Sequence, residues 1–289
     1  MGDNLKLVSR AKGNGAERAF TVILYVFLSV VSLMVLYPII YVVCAAFSPG
    51  DSISAMPIIP FSTGVTIDHF TYLFTKSNYL IWFRNTLIIS AGTALSTLVV
   101  CSLGAYAFSR FKFTGRNPML LSFLILQVFP SFVGMIAIYV ILWRFGGLDT
   151  LWGMVLVYTA GNIPYNTWLV KNYMDALPKS LDEAARIDGA SSGKIFRKII
   201  FPLTRPILTF LAITTFAGPW MDYIFPKMVL RSSDKQTLAL GLYSFVTDKK
   251  SDYTTFAAGA VLVAIPFMIF FMAGQKMMVK SLASAAVKE

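Results

Sequence analysis

Six long apolar runs decide what this chain can fold into. They cover roughly Phe20–Phe47, Asn85–Phe108, Leu120–Trp143, Trp152–Val170, Ile207–Phe225 and Phe256–Gln275. A helix needs about 20 residues to cross the hydrocarbon of a bilayer. Backbone groups in lipid must find their hydrogen bonds within the segment, so runs of this length become helices. The sequence therefore predicts an all-α membrane protein with six transmembrane helices, organised as a single domain over 1–289. At 56% hydrophobic and 13% charged residues, an ordinary soluble domain is excluded. The fifth run is the least regular. Pro219, Asp222 and Pro226 crowd its end and predict an interruption there. The first run is too long for a signal peptide and has no clear cleavage site, so it reads as an uncleaved span.

Charge placement orients the spans. With the N-terminus inside, 17 of the 25 Lys and Arg fall in inner segments, while Asp and Glu split evenly at seven on each side. Excess Lys and Arg collect in the cytoplasm. Both termini, the N-terminal segment 1–19 and the loop 171–206 are thus expected inside. In the first outer loop, Asp68–Trp82 is aromatic enough to lie on the membrane as an amphipathic helix, or it is an irregular loop. Lys227–Thr255 is the other sizeable outer piece.

The one long polar insert between spans is Leu177–Pro206, LPKSLDEAARIDGASSGKIFRKIIFPLTRP. Ser180 and Glu183 have the spacing of a capping box, which predicts a helix from Leu181. Asp188-Gly189 predicts its end, because glycine readily takes the left-handed position after a helix. Ser191 or Ser192 can cap a second helix carrying Ile195, Phe196, Ile199 and Ile200, with Pro202 ending it. The expectation is a cytoplasmic helix–turn–helix between the fourth and fifth spans.

Catalytic chemistry is missing from the sequence. The lone histidine, His69, is expected as a solvated loop side chain. Cys44 and Cys101 lie in apolar segments and suggest neither a disulfide nor a metal site. Gly189–Ile195, GASSGKI, is one residue short of a phosphate loop and has Ile195 where Ser or Thr must hold magnesium. The chain is therefore read as no enzyme, and no cofactor or metal is expected on it. Within the spans there is no Asp, Glu, Lys, Arg or His apart from Asp222, near the end of the fifth. Ion-coupled carriers and channels normally place such groups inside the bilayer. That alternative is disfavoured, and a transporter of this composition must take its energy through its polar loop. Gln127 near Pro130, and Asn162 and Asn166 around Pro164, have two readings. They repair proline-disturbed helices, or they line a translocation path.

Glu183-Ala184-Ala185, Asp188-Gly189-Ala190, Ile199 and Pro202 resemble the EAA loop of the membrane subunits of ABC importers. The nine residues between Gly189 and Ile199 match that pattern, while Phe201 and Gly193 depart from it. The resemblance extends to Ala105–Arg110 with Gly115-Arg116, to Pro164-Tyr165 and Trp168, to Trp220 with Asp222-Tyr223 and Pro226, and to Gln275-Lys276 with Ala286-Val287-Lys288. It is similar to the maltose/maltodextrin-type permeases. The resemblance implies a bacterial cytoplasmic-membrane subunit of a sugar importer, the sugar being an oligosaccharide such as maltodextrin. It implies coupling to an ATPase through Glu183, Ala184, Ala185, Asp188 and Gly189. It also implies that the tail 276–289, with Gln275, Lys276 and Lys280, reaches the ATPase. The implied partners are a homologous second permease, two ATPase subunits that use ATP and Mg, an extracytoplasmic sugar-binding protein and the lipid bilayer. Nucleic acid is not among them.

Overall fold

A computed structural model describes residues 15–52, 59, 61–62, 64–128, 130–247 and 251–286. Among these the regular structure is helical, with no strand. The first long helix, α1, covers Gly15–Ala46. The outer-loop segment forms a true helix, α2 (Asp68–Lys76), and breaks at Ser77-Asn78. Helix α3 (Tyr79–Arg110) then starts six residues before the apolar run Asn85–Phe108. The third run is divided at Pro130 into α4 (Arg116–Val128) and α5 (Ser131–Arg144). Helix α6 (Leu151–Asp175) passes through Pro164 without a break.

The polar insert holds α7 (Ser180–Ile187), α8 (Ser192–Ile195), a π-helical turn over Phe196–Ile200, and α9 (Phe201–Leu203). Helix α10 (Arg205–Met221) ends just before Asp222, and a short α11 (Ile224–Val229) follows, so the expected interruption is present. Helices α12 (Leu238–Thr247) and α13 (Tyr253–Ala286) complete the described chain.

Arg18–Ala46, Tyr79–Arg110 and Tyr253–Met272 are each long and apolar enough to cross a membrane. The number rises to five if each of two bent helix pairs is one span. In the second pair, the polar insert turns by 76° into α10. Helix α6 has the length, at 25 residues, but its asparagines dilute its apolar character. Helix α10, at 17 residues, is a little shorter than the usual span of about 20.

Helix α3 is the centre of the bundle and packs against α6 and α10. Its buried face is a stripe of small and polar residues, among them Ser90, Thr93, Ala94, Thr97, Cys101 and Ala105. Small residues let membrane helices approach closely, which dispersion then rewards. Near the start of α3 the core gathers Leu73, Tyr79, Trp82, Trp220, Leu238 and Ala258. Near its end the core gathers Tyr106, Met174, Ile195, Ile200 and Leu211.

Side-chain bonds tie the segments near the start of α3. The Asn85 amide donates to the carbonyls of Asp234 and Gln236, at 2.8 and 2.9 Å. Leu238 N–H donates to Thr86 Oγ1 at 2.7 Å. His69 is not the solvated residue the sequence suggests. Its Nε2 meets the Ser48 carbonyl at 2.9 Å and its Nδ1 meets Thr255 Oγ1 at 3.1 Å, so it stitches α2 to the ends of two long helices.

Candidate coupling site

The site is the stretch from the end of α6 to the start of α10. Pro178 opens it. The amide of Leu181 donates to the Pro178 carbonyl, and those of Asp182 and Glu183 donate to the Lys179 carbonyl. The chain is therefore already helical at Lys179, and α7 begins one residue earlier than the sequence suggests. Ser180 lies inside the first turn and is not the cap, so the expected capping box with Glu183 is absent. A proline that fixes φ starts the turn without a side-chain cap.

The end of α7 follows the expectation. Gly189 has φ +78°. Its amide donates to the Arg186 carbonyl at 3.0 Å, and the Ala190 amide donates to the Ala185 carbonyl at 2.9 Å. These two bonds make a complete Schellman motif and satisfy carbonyls that the helix end would otherwise leave open. Ser191 caps the next helix, its Oγ accepting from Lys194 N–H at 3.4 Å.

Pro202 does not end this second helix, contrary to expectation. Phe201 N–H reaches back five residues to the Phe196 carbonyl, and Thr204 N–H still bonds Ile200 at 2.9 Å. The wider π-turn moves carbonyls away from the proline ring, which would clash with them in a regular helix. The sharp bend comes instead at Thr204, ahead of Pro206.

Rotation about α7, about 100° per residue, sorts its side chains. Asp182 and Ala185 are buried. Ala185 joins Ile195 and Ile200 against Tyr106, Val170 and Leu208, three residues from the three central long helices. Glu183, Ala184, Asp188 and Gly189 are exposed. The five residues picked from the sequence are therefore adjacent but divided, with four turned outward and Ala185 turned in. Ile187, read from the sequence as part of the continuing helix, is 87% exposed. It stands on the outward face beside Glu183 and Ala184.

A polar network that the sequence did not reveal fastens this unit to α3 and α6. Arg110, the last residue of α3, lies 2.9 Å from Asp182 through Nε and Oδ2. Ser109 donates to Asp175 Oδ1 at 2.6 Å, and Lys171 contacts Asp175 Oδ2, also at 2.6 Å. Burial works against the charged form of Asp175. The hydrogen bonds from Lys171 and Ser109, with the charges of Lys171 and Arg116, outweigh it and hold the carboxyl below its ordinary value. Tyr106 O–H donates to the Ser192 carbonyl at 3.2 Å, linking α3 to the second helix as well.

The three residues suggested as path lining do not converge. The Asn162 amide donates to the Tyr158 carbonyl at 2.8 Å, and the Asn166 amide to the Asn162 carbonyl at 2.8 Å. Both bonds run back one turn along α6 and leave untouched the Ala160 carbonyl, the one that Pro164 deprives of its helical donor. Asn166 is buried, while Asn162 borders a cavity of about 500 Å³ with Tyr158, Asp222, Phe225 and Met135. Gln127 stands exposed on α4 and does not line that cavity. Asp222 accepts from Tyr158 O–H at 2.9 Å and from Phe225 N–H at 3.2 Å, so it both pairs α6 with α10 and caps α11. The expected tail is the continuation of α13, a single helix to Ala286. Gln275 is exposed, Lys276 and Lys280 lie in its last turns, and residues 287–289 fall outside the described chain.

Comparison with known proteins agrees with this architecture. A family model described as "binding-protein-dependent transport system inner membrane component" matches residues 99–284. The maltodextrin transport system permease protein MdxG of Bacillus subtilis is 38% identical over 91% of this chain and 95% of its own length. The galactooligosaccharides transport system permease protein GanQ of the same organism is 40% identical over 91% of this chain and 94% of its own. The maltose/maltodextrin permease MalG of Salmonella typhimurium is 30% identical over 88% and 91%. Among solved structures, a bacterial ABC transporter that imports the acidic polysaccharide alginate shares the fold, with a TM-score of 0.77 and 23% identity over 91% of this chain and 98% of that one. The chain therefore belongs to the family of inner-membrane components of binding-protein-dependent transport systems.

Proposed function

We propose that this chain is one of two homologous permease subunits of an ATP-driven oligosaccharide importer, with α7–α9 as the element that docks on the ATPase. The observation that carries the reading is the division of α7. One face, with Asp182 and Ala185, is buried against the ends of the long helices, and the other presents Glu183, Ala184 and the protruding Ile187. A helix held rigidly on one side and left apolar at its outward centre suits insertion into a groove of another protein. Without a capping role for Glu183, its exposed carboxylate is free to pair with a basic residue of the partner.

In this reading six spans place both termini and the docking unit in the cytoplasm, as the charge distribution indicates. The other partners are two ATPase subunits, which use ATP and Mg, and an extracytoplasmic sugar-binding protein. The names of the relatives support maltodextrins or galactooligosaccharides as the cargo class. ATP binding draws the ATPases together, the docking units follow, and the spans rock to open the path outward. The end of α13, with Lys276 and Lys280, lies against the ATPase. Truncation after Ser281 is expected to reduce ATPase stimulation, and unchanged stimulation rules that contact out.

The decisive experiment is Ile187→Glu, assayed by co-purification with the ATPase and by ATP-dependent uptake of radiolabelled maltodextrin and galactooligosaccharide. A charge in an apolar groove should release the ATPase while the spans still insert. Full co-purification, or uptake without ATP, would refute the reading.

A further inference from the structure

Asp182 and Arg110 are both deeply buried, with side chains 8% and 3% exposed. Their 2.9 Å contact is close, yet neither oxygen of Asp182 has a well-aligned hydrogen bond among the described residues. The guanidinium is the charge that compensates the carboxylate. Arg110 also reaches the Leu177 carbonyl through Nη2 at 3.3 Å and Ser109 Oγ through Nη1 at 3.2 Å. One planar group thus touches α3, the turn after α6, and α7. Arginine is suited to this because its donors leave in fixed directions, whereas an ammonium is a single point.

Burying two charges is expensive, and an apolar pair of similar volume usually holds a fold as well or better. What this pair adds is a fixed place: the Arg110 bonds to Ser109 and Leu177 hold the guanidinium, and Asp182 is drawn to it at 2.9 Å. Apolar packing at this position would let α7 roll about its axis, since such contact has no preferred angle. We infer that Arg110 and Asp182 are positioning residues that lock the rotation of α7 to α3. A displacement of the docking face is then passed to the central helix of the bundle and is not dissipated at the joint. The inference rests on the docking role proposed above for α7–α9 and identifies the side chains through which that role reaches the spans.

The test uses the whole complex, reconstituted in proteoliposomes with its second permease, ATPase and binding protein. The readout is ATP hydrolysed per maltodextrin transported, at equal amounts of assembled complex. A purely structural pair would change the amount of complex and leave this ratio alone. The double variant Arg110→Leu/Asp182→Leu removes both charges without orphaning either. It is expected to raise the ratio about fivefold or more, the low end of usual coupling between sites. Arg110→Lys keeps the charge and loses the fork, and it should raise the ratio by a smaller factor. A wild-type ratio in either variant overturns the inference, and Arg110→Lys decides it alone if the double variant does not assemble. Ile187→Glu separates the two ideas. If it loses the ATPase while the ratios stay at wild type, docking stands and the lock is wrong. If it keeps the ATPase, docking fails and the lock fails with it.

Discussion

Replacing Gly189 by valine isolates the turn between α7 and α8 in the proposed docking unit. A Cβ at Gly189 would meet nothing within 4 Å, so space is not the constraint. The constraint is φ, which stands at +78°. Holding an L-residue there costs about 1–2 kcal/mol, and a β-branched one lies at the upper end. The chain can escape by returning to negative φ, but it then breaks the bonds from Gly189 to Arg186 and from Ala190 to Ala185. Two hydrogen bonds at about 1 kcal/mol each amount to a similar loss. By either route the native turn loses about 2 kcal/mol, a factor of roughly 30 in its equilibrium. The spans are untouched, so membrane insertion and yield should match wild type. Co-purification with the ATPase and its stimulation by loaded binding protein should fall. Gly189→Asn is the control, because asparagine tolerates the left-handed region better than other side chains. Valine behaving like glycine would refute the reasoning. Asparagine behaving as badly as valine would also refute it, since side-chain volume would then matter where the structure shows open space.

Local chemistry in the sequence was legible, and contact across the chain was not. The turn at Gly189, the cap at Ser191 and the interruption at Asp222 depend on residues within one or two helical turns, and all three are present. Ser180 was misplaced by one position, because Pro178 can begin a turn without a side-chain cap. Pro202 was read as a stop, because a π-turn leaves no signature beyond the proline it accommodates. The buried pairing of Arg110 with Asp182 joins two segments that only the fold brings together. Ile187 shows the same limit in reverse. An isoleucine in an amphipathic helix is normally assigned to the core, and only the direction fixed by Asp182 and Ala185 turns it outward. Both asparagines around Pro164 bond carbonyls of their own helix, and which of them borders the cavity depends on how α6 packs.

Three other outcomes are expected. Single cysteines replacing Lys194 and Arg116 should be shielded from an impermeant thiol reagent in intact cells, and one replacing Lys235 should label. Labelling at Lys194→Cys from outside would invert the topology. Gly241→Ala would drive a Cβ into the Trp82 indole, an overpacking that costs about 1–3 kcal/mol, and should lower thermal stability in detergent. An unchanged melting curve would mean that α12 and α3 are not packed as described. The last concerns Asp149, which closes the connection between α5 and α6. Its carboxylate accepts from the amides of Arg231 and Ser232 at 2.8 and 3.0 Å and from the Ser232 hydroxyl. Burial pushes its carboxyl up, but the Ser232 and Arg231 bonds and the charge of Lys235 prevail and hold it below its ordinary 3.8. A depressed carboxyl binds its proton more weakly in the folded state than in the unfolded one. Its stabilising effect is therefore complete above about pH 4 and is lost as the pH falls through the folded-state value. Asp149→Asn removes that dependence. Melting temperatures of the two proteins should differ near neutrality and converge as the pH falls through the depressed folded-state value. A constant difference across that range would mean that the carboxylate charge does not hold this loop.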